Sequence, residues 1–173
     1  MKSRILMAAV LMTVSSVWAG RILPLVNIQQ GDRPNDSKAT VELSEEHPGA
    51  NGTSLKVTFA AETTMGAWEP KIKNWNDAKQ VIFEVFNPTE TPITGMLTVV
   101  PKDLKGKKRY DARSDNKLTF KPGQNKIMIS PQEMVNNSGD VLELSEIVSW
   151  YIGSMTPPDA TLFFQRIDIQ IGE

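Results

Sequence analysis

The stretch Lys79–Thr89, KQVIFEVFNPT, decides the fold class. Val81, Phe83 and Val85 alternate with Ile82, Glu84 and Phe86, and only Glu84 breaks the apolar run. A strand that is apolar on nearly both faces must be covered on both, which places it inside a sheet rather than at an edge. Asn87-Pro88 then stops it, because proline brings no N–H to a ladder and restricts the residue before it. Trp75 lies just upstream, and Thr91–Pro101, TPITGMLTVVP, offers a second strand of similar length downstream. A central strand with a core on each face predicts a β-sandwich.

Working outward, Arg21–Gln29 (RILPLVNIQ) reads as a first strand with a proline near its edge, followed by turn chemistry in Gly31–Ser37. Ala39–Leu43 and Ser54–Ala60 read as short strands on either side of a turn at His47–Gly52, and Met65–Pro70 carries Trp68 in a loop or short strand. Downstream, Thr94–Val100 runs into a basic loop, Lys102–Arg109 (KDLKGKKR). Asn116–Phe120 and Gln124–Ser130 flank Lys121-Pro122-Gly123, a proline-glycine turn that predicts a hairpin. Pro131–Val135 suits one helical turn with proline at its first position. Leu144–Ile152 and Thr161–Ile171 supply the last two strands. Roughly nine or ten short strands with almost no helix predict an all-β, antiparallel sandwich.

Residues 1–19 stand apart. Lys2 and Arg4 form a basic start, Ile5–Val14 an apolar run, and Val17-Trp18-Ala19 a small-x-small cleavage site, so a signal peptide is expected with the sandwich domain spanning residues 20–173. The apolar run is too short for a stable membrane span, and no later stretch is long enough. The domain suits a single core, and with no cysteine it rests on that core alone. Export without disulfides points to a bacterial envelope, periplasmic or extracellular, protein. A formal net charge of −1 argues against nucleic acid as a partner.

Several pieces line up in order: Trp75, Ala78, Val81, Phe83, Val85 and Asn87-Pro88; then Tyr110 near the basic loop; then Pro122-Gly123, Asn125, Ile127 and Ile129; then Leu144-Ser145, Ile147 and a closing Thr161-Leu162. This pattern resembles the galactose-binding-like jelly roll of bacterial carbohydrate-binding modules, over Asn74–Ile171. The resemblance implies a jelly-roll sandwich and a glycan bound on its concave sheet or rim. Many members also hold a structural calcium ion between an acidic pair in the last strand and a Phe-Glu in the first. Here those positions correspond to Gln165-Arg166 and Ile28-Gln29. Calcium favours hard, charged oxygen ligands, and Arg166 sets a positive charge in their midst. The expectation is therefore no metal and no cofactor, with Arg166 itself as the replacement beside Gln29 or Asp32; Asp168 is the one residue that offers a substitute ligand.

Enzyme motifs are absent. His47 is the single histidine, and without cysteine no His/Cys cluster for metal or nucleophile chemistry can form. Glu45-Glu46, Asp111, Asp115 and Glu143 show no spacing that singles out a carboxylate pair, and they read as solvated acids. Aromatics are the better lead, because sugars present C–H faces to flat rings. Trp75 and Trp150 sit at core positions and read as packing. Trp68 stands between glycine and proline, and Tyr151 points away from Trp150 along its strand. The candidate carbohydrate-binding residues are Trp68, Tyr110 and Tyr151, with Arg109 beside them. Lys102, Lys105, Lys107, Lys108 and Arg109 can concentrate a polyanion, although such clusters are more often plain solvated loops. The expected function is an exported, non-catalytic glycan-binding module. The alternative is a cell-envelope protein-interaction or scaffold domain of the same fold without a sugar site.

Overall fold

The computed structural model describes residues 20–172, so the expected signal peptide, residues 1–19, lies outside the described residues. Turns rich in Gly, Pro, Asn and Asp cut the chain into β1 (Arg21–Val26), β2 (Asp36–Ser37), β3 (Thr40–Ser44), β4 (Ser54–Thr58), β5 (Met65–Trp68), β6 (Ala78–Asn87) and β7 (Ile93–Pro101). After a single helical turn, α1 (Arg109–Ala112), come β8 (Ser114–Phe120), β9 (Gly123–Ile129), β10 (Ile147–Thr156) and β11 (Thr161–Ile171). Pro131 opens one turn of 3-10 helix, Pro131–Glu133, between β9 and β10. All pairing between strands is antiparallel and falls into two sheets. Sheet A runs β3-β4-β11-β6-β9, and β1 continues the β4 edge of β11. Sheet B runs β2-β5-β10-β7-β8. From β4 onward every connection crosses between the sheets except β7–β8, which gives the jelly roll expected from the sequence.

The alternation in β6 sets the core. Val81, Phe83 and Val85 are fully buried and face inward, with Phe83 opposite Ile167 on β11 and Ile127 on β9. Sheet B closes over them with Leu97, Val99, Trp150 and Ile152. β6 is an interior strand, as its two apolar faces require, and Ile82 on its other face is also buried. Trp75 and Trp150 are both core residues, and the Trp75 indole N–H donates to the Ile72 carbonyl at 3.0 Å. Asn87 forms the corner after β6. Its side-chain amide donates to the carbonyls of Thr91 (2.9 Å) and Phe120 (3.0 Å) and accepts from the Thr89 N–H at 2.9 Å.

The Lys121-Pro122-Gly123 turn does not make a hairpin. β8 pairs with β7 in sheet B and β9 with β6 in sheet A, so the turn carries the chain across the sandwich. Crossing lets the apolar sides of both strands face one interior from opposite walls: Leu118 and Phe120 from β8, Ile127 and Ile129 from β9. A side chain replaces the missing ladder. Asn125 accepts from the Lys121 N–H at 2.8 Å and donates to the carbonyls of Lys121 (2.7 Å) and Gly123 (2.9 Å). Gly123 supplies the left-handed backbone, φ 79°.

Candidate functional site

β5 reads Met-Gly-Ala-Trp, and the pleat sends Met65 and Ala67 into the core, leaving Gly66 and Trp68 on the outer face of sheet B. On β10, Ser149 stands opposite Trp68 and Tyr151 opposite Gly66, while Trp150 and Ile152 point inward. Thr98 on β7 lies opposite Tyr151, and Asp115 on β8 lies opposite Thr98. One outward row therefore runs Gly66–Tyr151–Thr98–Asp115. Gly66 is required where it stands. A Cβ there would lie 2.2 Å from the Trp150 carbonyl and 2.5 Å from the Tyr151 Cβ.

The β7–β8 connection completes this face. Three of its four lysines are spoken for: Lys102 pairs with Glu146 (2.9 Å), Lys105 with Glu143 (2.8 Å) and Lys107 with Asp140. The hydrogen bond from Lys105, helped by the Ser145 N–H and hydroxyl, holds the Glu143 carboxyl at about 2. The basic loop is thus fastened to the 140–146 segment, and Lys102, Lys105 and Lys107 are not free for a polyanion. Arg109, at the start of α1, swings the other way. Its guanidinium lies 5.0 Å from the centre of the Trp68 ring, and Nη2 donates to Ser149 Oγ at 3.3 Å. Arg113 lies 4.6 Å from the Tyr110 ring centre and donates to Tyr151 Oη at 3.3 Å and to Asp115 Oδ2 at 3.0 Å. Asp115 also accepts from Thr98 Oγ1 at 2.6 Å and Asn137 Nδ2 at 2.8 Å. Burial works to raise its carboxyl, but these hydrogen bonds and the Arg113 charge hold it below its ordinary value.

Trp68, Arg109, Tyr110 and Tyr151, chosen from the sequence, thus meet on one face, with Trp68 43% and Tyr110 61% exposed. Sequence reasoning missed Arg113, Thr98, Ser149 and Asn137, and left Asp115 among undistinguished acids. The signal for Ser149 was its place beside Trp150, since alternation turns it outward with Tyr151. Chemically the face offers aromatic rings to stack against and guanidinium donors held in fixed directions.

The outer face of sheet A differs. The loop around His47 folds over it, the imidazole stacking on Phe86 at 3.9 Å and meeting Phe163 edge-on at 4.7 Å. Gln165 sits in a bulge of β11 and clips that loop down, donating to the carbonyls of His47 (2.9 Å) and Pro48 (3.2 Å). Beside it a cleft of about 370 Å³ is lined by Gln29, Gln165, Arg166, Glu84 and Asp168 among others. The two halves of the position that resemblance assigns to calcium do converge there, but the donors do not fit the ion. Arg166 takes Asp168 as a partner and reaches Glu84 at 3.4 Å, which places a fixed cation between the two carboxylates a dication would need. The expectation that Arg166 turns to Gln29 or Asp32 is corrected. Its own-face neighbours on the pleat claim it, and Asp32 pairs instead with Lys71 at 3.4 Å. Asp168 is likewise taken up by Arg166 rather than left as a spare ligand.

No family model matches this sequence, and no curated protein matches it. Solved structures match the fold. The family 11 carbohydrate-binding module from Clostridium thermocellum, solved with a β-1,3-1,4-mixed-linked tetrasaccharide, aligns over 94% of this chain and 94% of its own, with a TM-score of 0.54 and 13% identity. A family 22 xylan-binding domain from Paenibacillus barcinonensis aligns over 90% of this chain and 97% of its own, with a TM-score of 0.51 and 13% identity. An agarase aligns over 89% of this chain but only 25% of its own, with a TM-score of 0.58 and 16% identity. At these identities the likeness shows the fold alone, an antiparallel β-sandwich of the jelly-roll kind.

Proposed function

We propose that this protein is an exported, non-catalytic carbohydrate-binding module whose glycan lies across the outer face of sheet B. The observation that carries the reading is the convergence of Trp68, Tyr110 and Tyr151 with Arg109 and Arg113, from β5, β10 and the β7–β8 connection. Rings left in contact with water invite the C–H face of a sugar, and the fixed guanidinium N–H groups supply the directional bonds that hydroxyls need. The carboxylates support a binding role rather than hydrolysis. Asp115 accepts three hydrogen bonds and is held ionised, which disqualifies it as a general acid, and Glu84 and Asp168 share one arginine. The near full-length alignment to binding modules favours the same view. No helix among the described residues is long and apolar enough to cross a membrane. The alternative partner, an envelope protein, draws on exposed Val135 and Val141 beyond the basic loop.

Affinity electrophoresis through gels containing a panel of polysaccharides tests the reading. The purified protein is expected to be retarded by at least one, and Trp68→Ala to weaken that retardation about tenfold, the equivalent of about 1.4 kcal/mol. Identical migration of wild type and Trp68→Ala in every gel would overturn it.

A further inference from the structure

We propose that this face selects an anionic glycan, one bearing carboxylate or sulfate groups, and that Arg109 receives the anion. The inference rests on the reading above and sharpens it. Consider the cations of the β7–β8 connection one by one. Lys102, Lys105, Lys107 and Arg113 each have a carboxylate partner. Arg109 has none among the described residues; its one hydrogen bond goes to the neutral hydroxyl of Ser149. Lys108, the residue before it, is exposed and also has no acidic partner among the described residues.

The acids nearby are engaged or set aside. Asp115 is taken by Arg113, Thr98 and Asn137. Glu69, the residue after Trp68, pairs with Lys73 at 3.6 Å. Asp36 belongs to β2, on the far side of Gly66 from Tyr151, and Asp111 belongs to α1 itself. No carboxylate of this face neutralises Arg109.

Its posture matters as much as its charge. The Arg109 guanidinium lies over the Trp68 ring, 5.0 Å from its centre, and among the described residues only one of its five N–H donors is used. An in-plane edge with free parallel donors is the geometry that grips carboxylate or sulfate bidentately. A neutral sugar bound here would strip water from an uncompensated cation and return only hydroxyl contacts. An anionic sugar supplies the missing charge.

Affinity electrophoresis of the purified protein against polygalacturonate, alginate and carrageenan, beside xylan, mixed-linkage β-glucan and agarose, decides the matter. An acidic polymer is expected to retard the protein at least about tenfold more strongly than any neutral one. Raising ionic strength from about 0.05 M to about 0.5 M should weaken that retardation severalfold. Arg109→Gln should lose the acidic preference and Arg109→Lys should recover only part of it, since lysine restores charge without the planar fork; unchanged thermal midpoints verify folding. Binding to a neutral polymer alone, still abolished by Trp68→Ala, would overturn the anionic inference and leave the glycan-binding reading standing. Acidic binding that survives Arg109→Gln would also overturn it, and no retardation by any polymer would remove both.

Discussion

On the outer face of sheet A, His47 closes over Phe86 and Phe163, and Arg166 is held between Glu84 and Asp168. On the outer face of sheet B, Trp68 and Tyr110 remain open to solvent, and Arg109 finds only a hydroxyl. Both faces therefore bring arginine and aromatic rings together, and they differ in what has been done to them. On the first, a loop anchored by Gln165 covers Phe86 and Phe163, and two carboxylates hold Arg166. On the second, the neighbouring loop is tied back by three lysine–carboxylate pairs and leaves rings and guanidinium unsatisfied. Leaving apolar surface in water costs folding free energy, and the open face is the one to which the proposed function assigns a ligand.

The largest effect expected of any substitution comes from beneath the faces. Phe83→Ala removes the centre of the shared core and should cost about 3–5 kcal/mol in chemical denaturation, against less than about 1 kcal/mol for Trp68→Ala. Equal losses would mean that Trp68 is a structural residue and that the contrast between inside and outer face is wrong. Next come the two arginines. Arg166→Met strands two carboxylates, one of them nearly buried, and should destabilise by about 1–3 kcal/mol, whereas Arg109→Met should change stability by less than about 0.5 kcal/mol. A reversed order would make Arg109 the structural arginine.

A smaller effect depends on pH. The folded-state pKa of Asp115 is lowered, so its contribution is fully present above the ordinary carboxylate value near 3.8 and is lost as pH falls through the lowered one. Asp115→Asn should therefore cost about 1 kcal/mol near neutral pH, and the gap to wild type should close as acid is added below that value. A gap that stays constant down to acid unfolding would show that the carboxylate charge is not what holds Arg113 in place. The smallest effect belongs to sheet A. An ion bound at a hundredfold excess over its Kd would add about 2.7 kcal/mol, yet with Arg166 in its seat neither millimolar calcium nor a chelator should move Tm. An upward shift reversed by chelation would mean that Glu84 and Asp168 release the arginine for a metal.

Much of the sandwich was legible because the pleat writes itself into Val81–Phe86: residues two apart share a face, and both faces here are apolar. Partner choice was not written in the same way. Leu118 and Phe120 look alike to either sheet, and only the global demand for two opposed walls, aided by Asn125 at the turn, sends β9 away from β8. The same limit governs the site. Trp68 and Tyr151 could be found locally, from a Gly/Pro frame and from the position after Trp150. Arg113 meets Tyr151 across 38 residues and Asn137 meets Asp115 across 22, and no local pattern announces such meetings. Arg166 was misjudged for the opposite reason. Its partner Asp168 was two residues along the strand, on the same face, and a distant one was sought.

Arg109, Tyr110 and Arg113 all come from one short run of chain at the end of the β7–β8 connection, which enters and leaves the same sheet and contributes only Ala112 to the buried interior. This part of the outer face is therefore a cassette clipped onto a scaffold, set beside Trp68 of β5 and Tyr151 of β10. Under the proposed function, changes at Arg109 and Tyr110 would alter what the domain recognises while leaving its buried core in place.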